Sequence, residues 1–221
     1  MVLTTNKVFA PGCALILYKP ALSQSILTFL NQQSGTMDTL LTCCKHDPHH
    51  TMSTTVINVC PGCDKRFASD YENTTTLSLW EVLAQSETFP FPNYLGQEMT
   101  IQDACPTREK PAVQDAIRIL LQKMHITLVE AENSGKKAKC CGDNFYPQLP
   151  LVQVNELMKQ RTAEMPLENV IVYCVSCIQS ISIGGKTPRY LPDLLFNETT
   201  FPNHKTTNEW HRELDEYIEQ H

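Results

Sequence analysis

Three runs decide how this chain is read: Asp103-Ala104-Cys105-Pro106, Cys140-Cys141-Gly142-Asp143 and Asn169-Val170-Ile171-Val172-Tyr173-Cys174-Val175-Ser176-Cys177. The last is a β-branched apolar run ending in Cys-x-x-Cys. It reads as a buried strand that delivers two thiols to one end of a sheet. Between the first two runs, Lys110 to Met124 carries Val113, Ala116, Ile117, Leu120, Leu121 and Met124 on one helical stripe, and Ile126 to Glu130 reads as a strand. Leu151 to Arg161 reads as a further helix. Each thiol group therefore falls near a strand or helix end.

The same order appears earlier in the chain: Cys13, then Cys43-Cys44, then Cys60-Pro61-Gly62-Cys63. Pro11 and Gly12 make a turn that presents Cys13. Leu22 to Leu30 has helical spacing and should end near Gly35. Thr54 to Val59 reads as a buried strand, and Leu77 to Leu83 as an amphipathic helix with Trp80 in the core. Phe89 to Gly96, with Pro90, Pro92, Asn93 and Gly96, reads as a linker. Pro188 to Phe196 reads as a short helix matching Leu77 to Leu83, and Thr207 to Ile218 as a charged amphipathic helix. The repeat predicts an α/β fold of two pseudo-symmetric halves with mostly parallel strands, plus a C-terminal helix. The expected divisions are a shortened first half over 1–90, a complete second half over 91–200, and a helical tail over 201–221.

The bulk numbers exclude several function classes. The chain has 221 residues, 42% of them hydrophobic, enough for a sizeable core. A net charge of −6 without a long basic run argues against nucleic acid and anionic membranes. No apolar run approaches the roughly 20 residues of a membrane span. Met1 to Lys7 lacks a basic region followed by an apolar core, so no signal peptide is expected and the cytoplasm is the expected compartment.

The two sets use all ten cysteines. Reduced thiols are the rule inside cells, and bridges within adjacent or Cys-x-x-Cys pairs would close tiny loops. Thiolate ligation of a soft metal is the stronger reading. Five thiols per half is one more than a closed zinc site or an ordinary cubane uses, which favours a multi-iron site. A Cys-x-x-Cys at a strand-to-helix junction sets its sulfurs near backbone N–H groups, which favour thiolate. Lys136, Lys137 and Lys139 offset an anionic cluster or form a solvated basic turn. Gly142 allows a positive φ or a close backbone approach. His46, His49 and His50 lie in a polar stretch without regular ligand spacing and read as a solvated loop rather than as ligands.

These residues carry a resemblance. The chain resembles the cysteine-rich CCG-domain proteins, and among them the B subunit of heterodisulfide reductase. The family pattern is one Cys, then Cys-Cys-Gly, then Cys-x-x-Cys, in two copies, and the likeness covers roughly Val8 to Phe196. It implies a noncubane 4Fe-4S cluster on Cys105, Cys140, Cys141, Cys174 and Cys177, and a second on Cys13, Cys43, Cys44, Cys60 and Cys63. It further implies an oxidoreductase that reduces or forms a disulfide at two facing clusters. The first half departs from the pattern: Lys45 stands where the glycine should be, and the gap from Cys44 to Cys60 is about half that from Cys141 to Cys174. No ferredoxin run and no dinucleotide fingerprint is present, so a redox partner protein must supply electrons. His46 and Lys110 are the nearest proton donors that sequence suggests; Lys110 also reads as a solvated residue of a helix first turn. The alternatives are an electron-relay subunit and a structural zinc protein.

Overall fold

The computed structural model describes residues 6–202 and 205–221. The expectation about a leader in Met1 to Lys7 lies, but for Asn6 and Lys7, outside them. By its contacts the chain divides into two units: residues 1–89 with 212–221, and residues 90–211. The first runs β1 (Asn6–Ala10), α1 (Cys13–Tyr18), α2 (Pro20–Ser34), β2 (Asp38–Thr39), β3 (Thr54–Asn58), α3 (Pro61–Ser69), β4 (Thr74–Ser78) and α4 (Leu79–Ala84). Its sheet has the order β2-β1-β3-β4, all parallel. The second runs β5 (Glu98–Gln102), α5 (Pro111–Lys123), β6 (Thr127–Leu128), α6 (Leu151–Ala163), β7 (Asn169–Val172), α7 (Val175–Ile183), β8 (Thr187–Tyr190) and α8 (Leu191–Leu195). Its sheet, β6-β5-β7-β8, is again all parallel. Helix α9 (Thr207–Gln220) closes the chain. The predicted α/β class with parallel strands is the observed one.

Parallel strands must be covered on both faces, and the central strands β3 and β7 accordingly bury nearly every side chain. Helices supply the cover with the stripes seen in sequence: Leu22, Ile26, Phe29 and Leu30 on α2, and Val113, Ala116, Ile117, Leu120 and Leu121 on α5. In each sheet the strand order reverses between the two central strands. The register aligns their last residues, Ala10 with Asn58 and Gln102 with Val172. The crevice beyond the carboxyl ends of such strands is where open α/β sheets bind ligands. Each unit's single cysteine follows the first central strand, its Cys-x-x-Cys the second, and its Cys-Cys pair the short edge strand.

Several sequence expectations shift. Leu77 and Ser78 belong to strand β4, and the helix begins only at Leu79. Ser78 Oγ accepts from Trp80 N (3.3 Å), and Glu81 accepts from Ser78 N (3.2 Å), a capping box that explains the start. Likewise residues 187–190 form strand β8, not a helix, and the helix begins at Leu191. Pro188 is tolerated there because β8 is an edge strand. The helices directly after each Cys-x-x-Cys are α3 and α7, so α4 and α8 each follow a fourth strand. The stretch around His46 to Thr51 is a loop, as expected. Trp80 is buried in the core. Among the described residues no helix is long and apolar enough to cross a membrane.

Candidate metal centre

In the second unit the chain leaves β5 through Asp103 and Ala104, and Cys105 opens a 3-10 turn, Cys105–Thr107. Cys174 is the N-cap of α7 and Cys177 its third helical residue. Cys140 and Cys141 come in on the loop between β6 and α6. The thiols meet by hydrogen bonding in one succession: Cys105 to Cys140, Cys140 to Cys141, Cys141 to Cys177, and Cys177 to Cys174. The first unit repeats it link for link: Cys13 to Cys43, Cys43 to Cys44, Cys44 to Cys63, and Cys63 to Cys60. There Cys13 opens α1, Cys60 caps α3, and Cys63 is again the third helical residue. All five predicted sulfurs come together in each unit, and none of the ten is in a disulfide.

The electrostatics single out the first member of each adjacent pair. Hydrogen bonds from the Cys13 and Cys44 thiols, with the Lys45 N–H and the nearby His46, pull the Cys43 thiol down to about 2. Hydrogen bonds from Cys105 and Cys141, with the N–H groups of Gly142 and Asn144, do the same to Cys140. Cys60 falls to about 7 because it accepts from the Cys63 thiol and from the Cys63 and Gly62 N–H groups, against the effect of burial. Cys13, Cys63, Cys105, Cys141 and Cys177 are pushed up, chiefly because each donates to a neighbouring sulfur and is buried. In each nest, neighbouring thiol protons and backbone amides thus favour the thiolate at the first member of the adjacent pair.

Glycine makes the close approaches. Gly142 has φ +110°, and a Cβ there would lie 2.7 Å from Met158 Cγ and 2.9 Å from Met158 N. Both uses anticipated for it, positive φ and close approach, are present. In the first unit Lys45 follows the pair, and the close approach falls instead to Gly12, φ +78°, whose Cβ would be 3.3 Å from Cys63 Sγ.

Polar groups unremarked in sequence brace the second nest. Asp103 is fully buried beside Cys105. Its carboxylate accepts two hydrogen bonds from Arg118 (2.7 and 2.6 Å), one from Tyr173 OH (3.0 Å) and one from Gly135 N (2.8 Å). Tyr173, next to Cys174, is pushed far up by burial and by the Asp103 charge. Ser180 Oγ donates to Cys141 Sγ (3.3 Å). Lys139 bonds Glu164 (2.7 Å), while Lys136 and Lys137 stay exposed. Burial alone would raise Glu164, but hydrogen bonds from Lys139, Asn133 and Arg161 leave it lowered. The signal in sequence was a charged Asp103 and a Tyr173 bordering apolar strands at the thiols.

Helix α9 contributes to both units. Trp210 is buried and donates from Nε1 to Ser176 Oγ (3.2 Å), and His211 Nε2 lies 3.0 Å from Asp143. In the first unit Ile218 packs on the apolar cluster that holds the cysteines, and Cys43 N donates to His221 O (3.2 Å). Deleting residues 212–221 is expected to speed alkylation of Cys13 and Cys43 and leave Cys105 unchanged, as read by mass spectrometry after a brief iodoacetamide pulse. Equal rates with and without the segment would show that it does not shield the nest.

Of the remaining suggested residues, His46 lies close enough to Cys43 to act on its charge, and Lys110 is the N-cap of α5. His49 is exposed and pairs with Asp47 at 3.4 Å. His50 Nε2 is buried without a hydrogen-bond partner. Among the described residues no group of three or more His, Cys, Asp or Glu side chains is arranged to hold a single metal ion. What each nest offers is a donor set of soft sulfurs, part ionised and backed by N–H groups, which fits a sulfur-ligated centre. No family model matches the chain, and a search of curated proteins gives no significant match.

Proposed function

We propose that each nest holds an iron-sulfur cluster, of the noncubane 4Fe-4S kind, and that the protein is a redox protein resembling the B subunit of heterodisulfide reductase that acts on a disulfide or thiol substrate. The observation that carries this reading is the identical succession of four contacts joining five thiols, repeated in two units whose sheets have the same strand order. Ten cysteines, all free, at the binding ends of two sheets are unusual for packing alone. Cys105, Cys140, Cys141, Cys174 and Cys177 would hold one cluster, and Cys13, Cys43, Cys44, Cys60 and Cys63 the other. Bound there, such a cluster supplies electron transfer and iron with affinity for sulfur. The chain's part is to present ionised sulfurs, exclude water around Cys141 and Cys177, and steady the second nest through Asp103 and Ser180. A partner protein supplies the electrons, and the cytoplasm, which keeps thiols reduced, is the proposed compartment.

Iron and acid-labile sulfide analysis after anaerobic purification, with an electron paramagnetic resonance spectrum, tests the reading. Cys141→Ser is expected to remove the second-unit signal and leave the first. Zinc without labile sulfide would sink the proposal in favour of a structural metal protein. Iron-loaded protein that consumes no small disulfide from a reduced viologen would leave an electron relay.

A further inference from the structure

A cavity of about 400 Å³ opens beside Cys140 in the second unit, walled in part by Arg108, Lys139, Phe145, Leu157 and Gln160. That volume suits a small molecule. Its charge is uneven. Arg161 and Glu164 also line it, so three cations face one carboxylate and the Cys140 sulfur, whose thiol is pulled down. Glu164 is shared between Lys139 (2.7 Å) and Arg161 (2.6 Å). Arg161 is buried and otherwise committed to Gln102 (2.6 Å) and the Asn133 carbonyl (2.8 Å). Arg108 differs. Its Nε donates to the Ala138 carbonyl, and its two terminal amino groups have no hydrogen-bond partner among the described residues. A half-buried arginine therefore borders a cavity with a net positive lining. Phe145, 36% exposed, and Leu157 add an apolar wall.

We propose that this cavity binds a small organic carboxylate, its head on the Arg108 guanidinium and its short apolar body on Phe145 and Leu157. Guanidinium matches a carboxylate with two parallel N–H donors, and Lys139 adds field without competing for that geometry. Position beside Cys140 makes the ligand a substrate or product of the proposed redox centre; that role rests on the function proposed above, whereas the binding itself does not.

Calorimetric titration of the 221-residue chain, kept anaerobic, with 3-phenylpropionate as the probe tests this. Saturable binding is expected, and the neutral 3-phenylpropionamide should bind about tenfold more weakly or worse, the usual worth of a charge-assisted hydrogen bond. Arg108→Gln should lose about as much. Because Arg108 also ties the Ala138 carbonyl, Gln160→Glu is the companion variant: Gln160 is exposed, and the change adds a repelling charge at the cavity while giving up a 3.3 Å surface hydrogen bond to Glu156, a small loss on a helix surface. It should weaken the acid and leave the amide unaffected. Equal affinity for acid and amide, undiminished binding in both variants, or no saturable binding would overturn the inference. Selective acid binding by protein that purifies without iron or sulfide would sink the redox reading alone. Iron-loaded protein that ignores the acid would sink this inference alone.

Discussion

Gly142→Ala is expected to dismantle the second nest. Two costs coincide at this position. The backbone has φ +110°, where an L side chain is strained, and the added Cβ would sit 2.7 Å from Met158 Cγ and 2.9 Å from Met158 N. Strain and overpacking together amount to about 4 kcal/mol. Met158 can move its side chain, but its nitrogen is fixed in helix α6, so the loop bearing Cys140 and Cys141 must retreat instead. The expected result is rapid alkylation of Cys141, with Cys44 unaffected, and, on the function proposed above, loss of about half the iron. Met158→Ala in the same chain should restore little, since the backbone clash remains. A Gly142→Ala protein with full iron and a slow Cys141 would show that the loop absorbs the methyl.

The second large effect belongs to Asp103→Asn. The native carboxylate takes hydrogen bonds from Arg118, Tyr173 and Gly135, all donors. An amide presents its own N–H groups to some of these donors and leaves a guanidinium without its buried counter-charge. Breaking a buried pair from one side costs about 3–5 kcal/mol, and the low end applies because Arg118 keeps Glu130 at 3.0 Å and is 24% exposed. At about 3 kcal/mol, amide hydrogen exchange of β5 and β7 should speed by roughly two orders of magnitude if those amides exchange through opening of the second unit. The amides of β1 and β3 should not change. Unaltered exchange in β5 would mean that Asp103 is a bystander. Arg118→Ala is not an equivalent test, because it also frees Glu130.

How legible the molecule was depends on the kind of signal. Strands β3 and β7 and helix α5 were plain because burial on both faces, or on one stripe, writes itself as apolar runs or as a repeat of three and four. Strands β4 (Thr-Thr-Thr-Leu-Ser) and β8 (Thr-Pro-Arg-Tyr) have neither, since an edge strand owes its form to a neighbour's backbone groups. For the same reason residues 188–190 looked like the start of a helix. The cysteines could be assigned by spacing, but their contact order could not. Arg108, Phe145 and Glu164 carry no motif; only the fold brings residues so far apart in sequence to one cavity.

What the sequence determined by itself is the inventory: ten thiols in two ordered sets, each group near a strand or helix end, in a chain whose apolar patterning reads as alternating strands and helices. Tertiary structure decided the rest. Two sheets that reverse their strand order at the centre bring the ends of three strands together, and so draw sulfurs from distant segments into one succession. Which sulfur in each nest bears the charge follows from N–H groups and thiol protons that meet it only after the chain has folded, because hydrogen bonding acts over ångströms and no residue spacing records it.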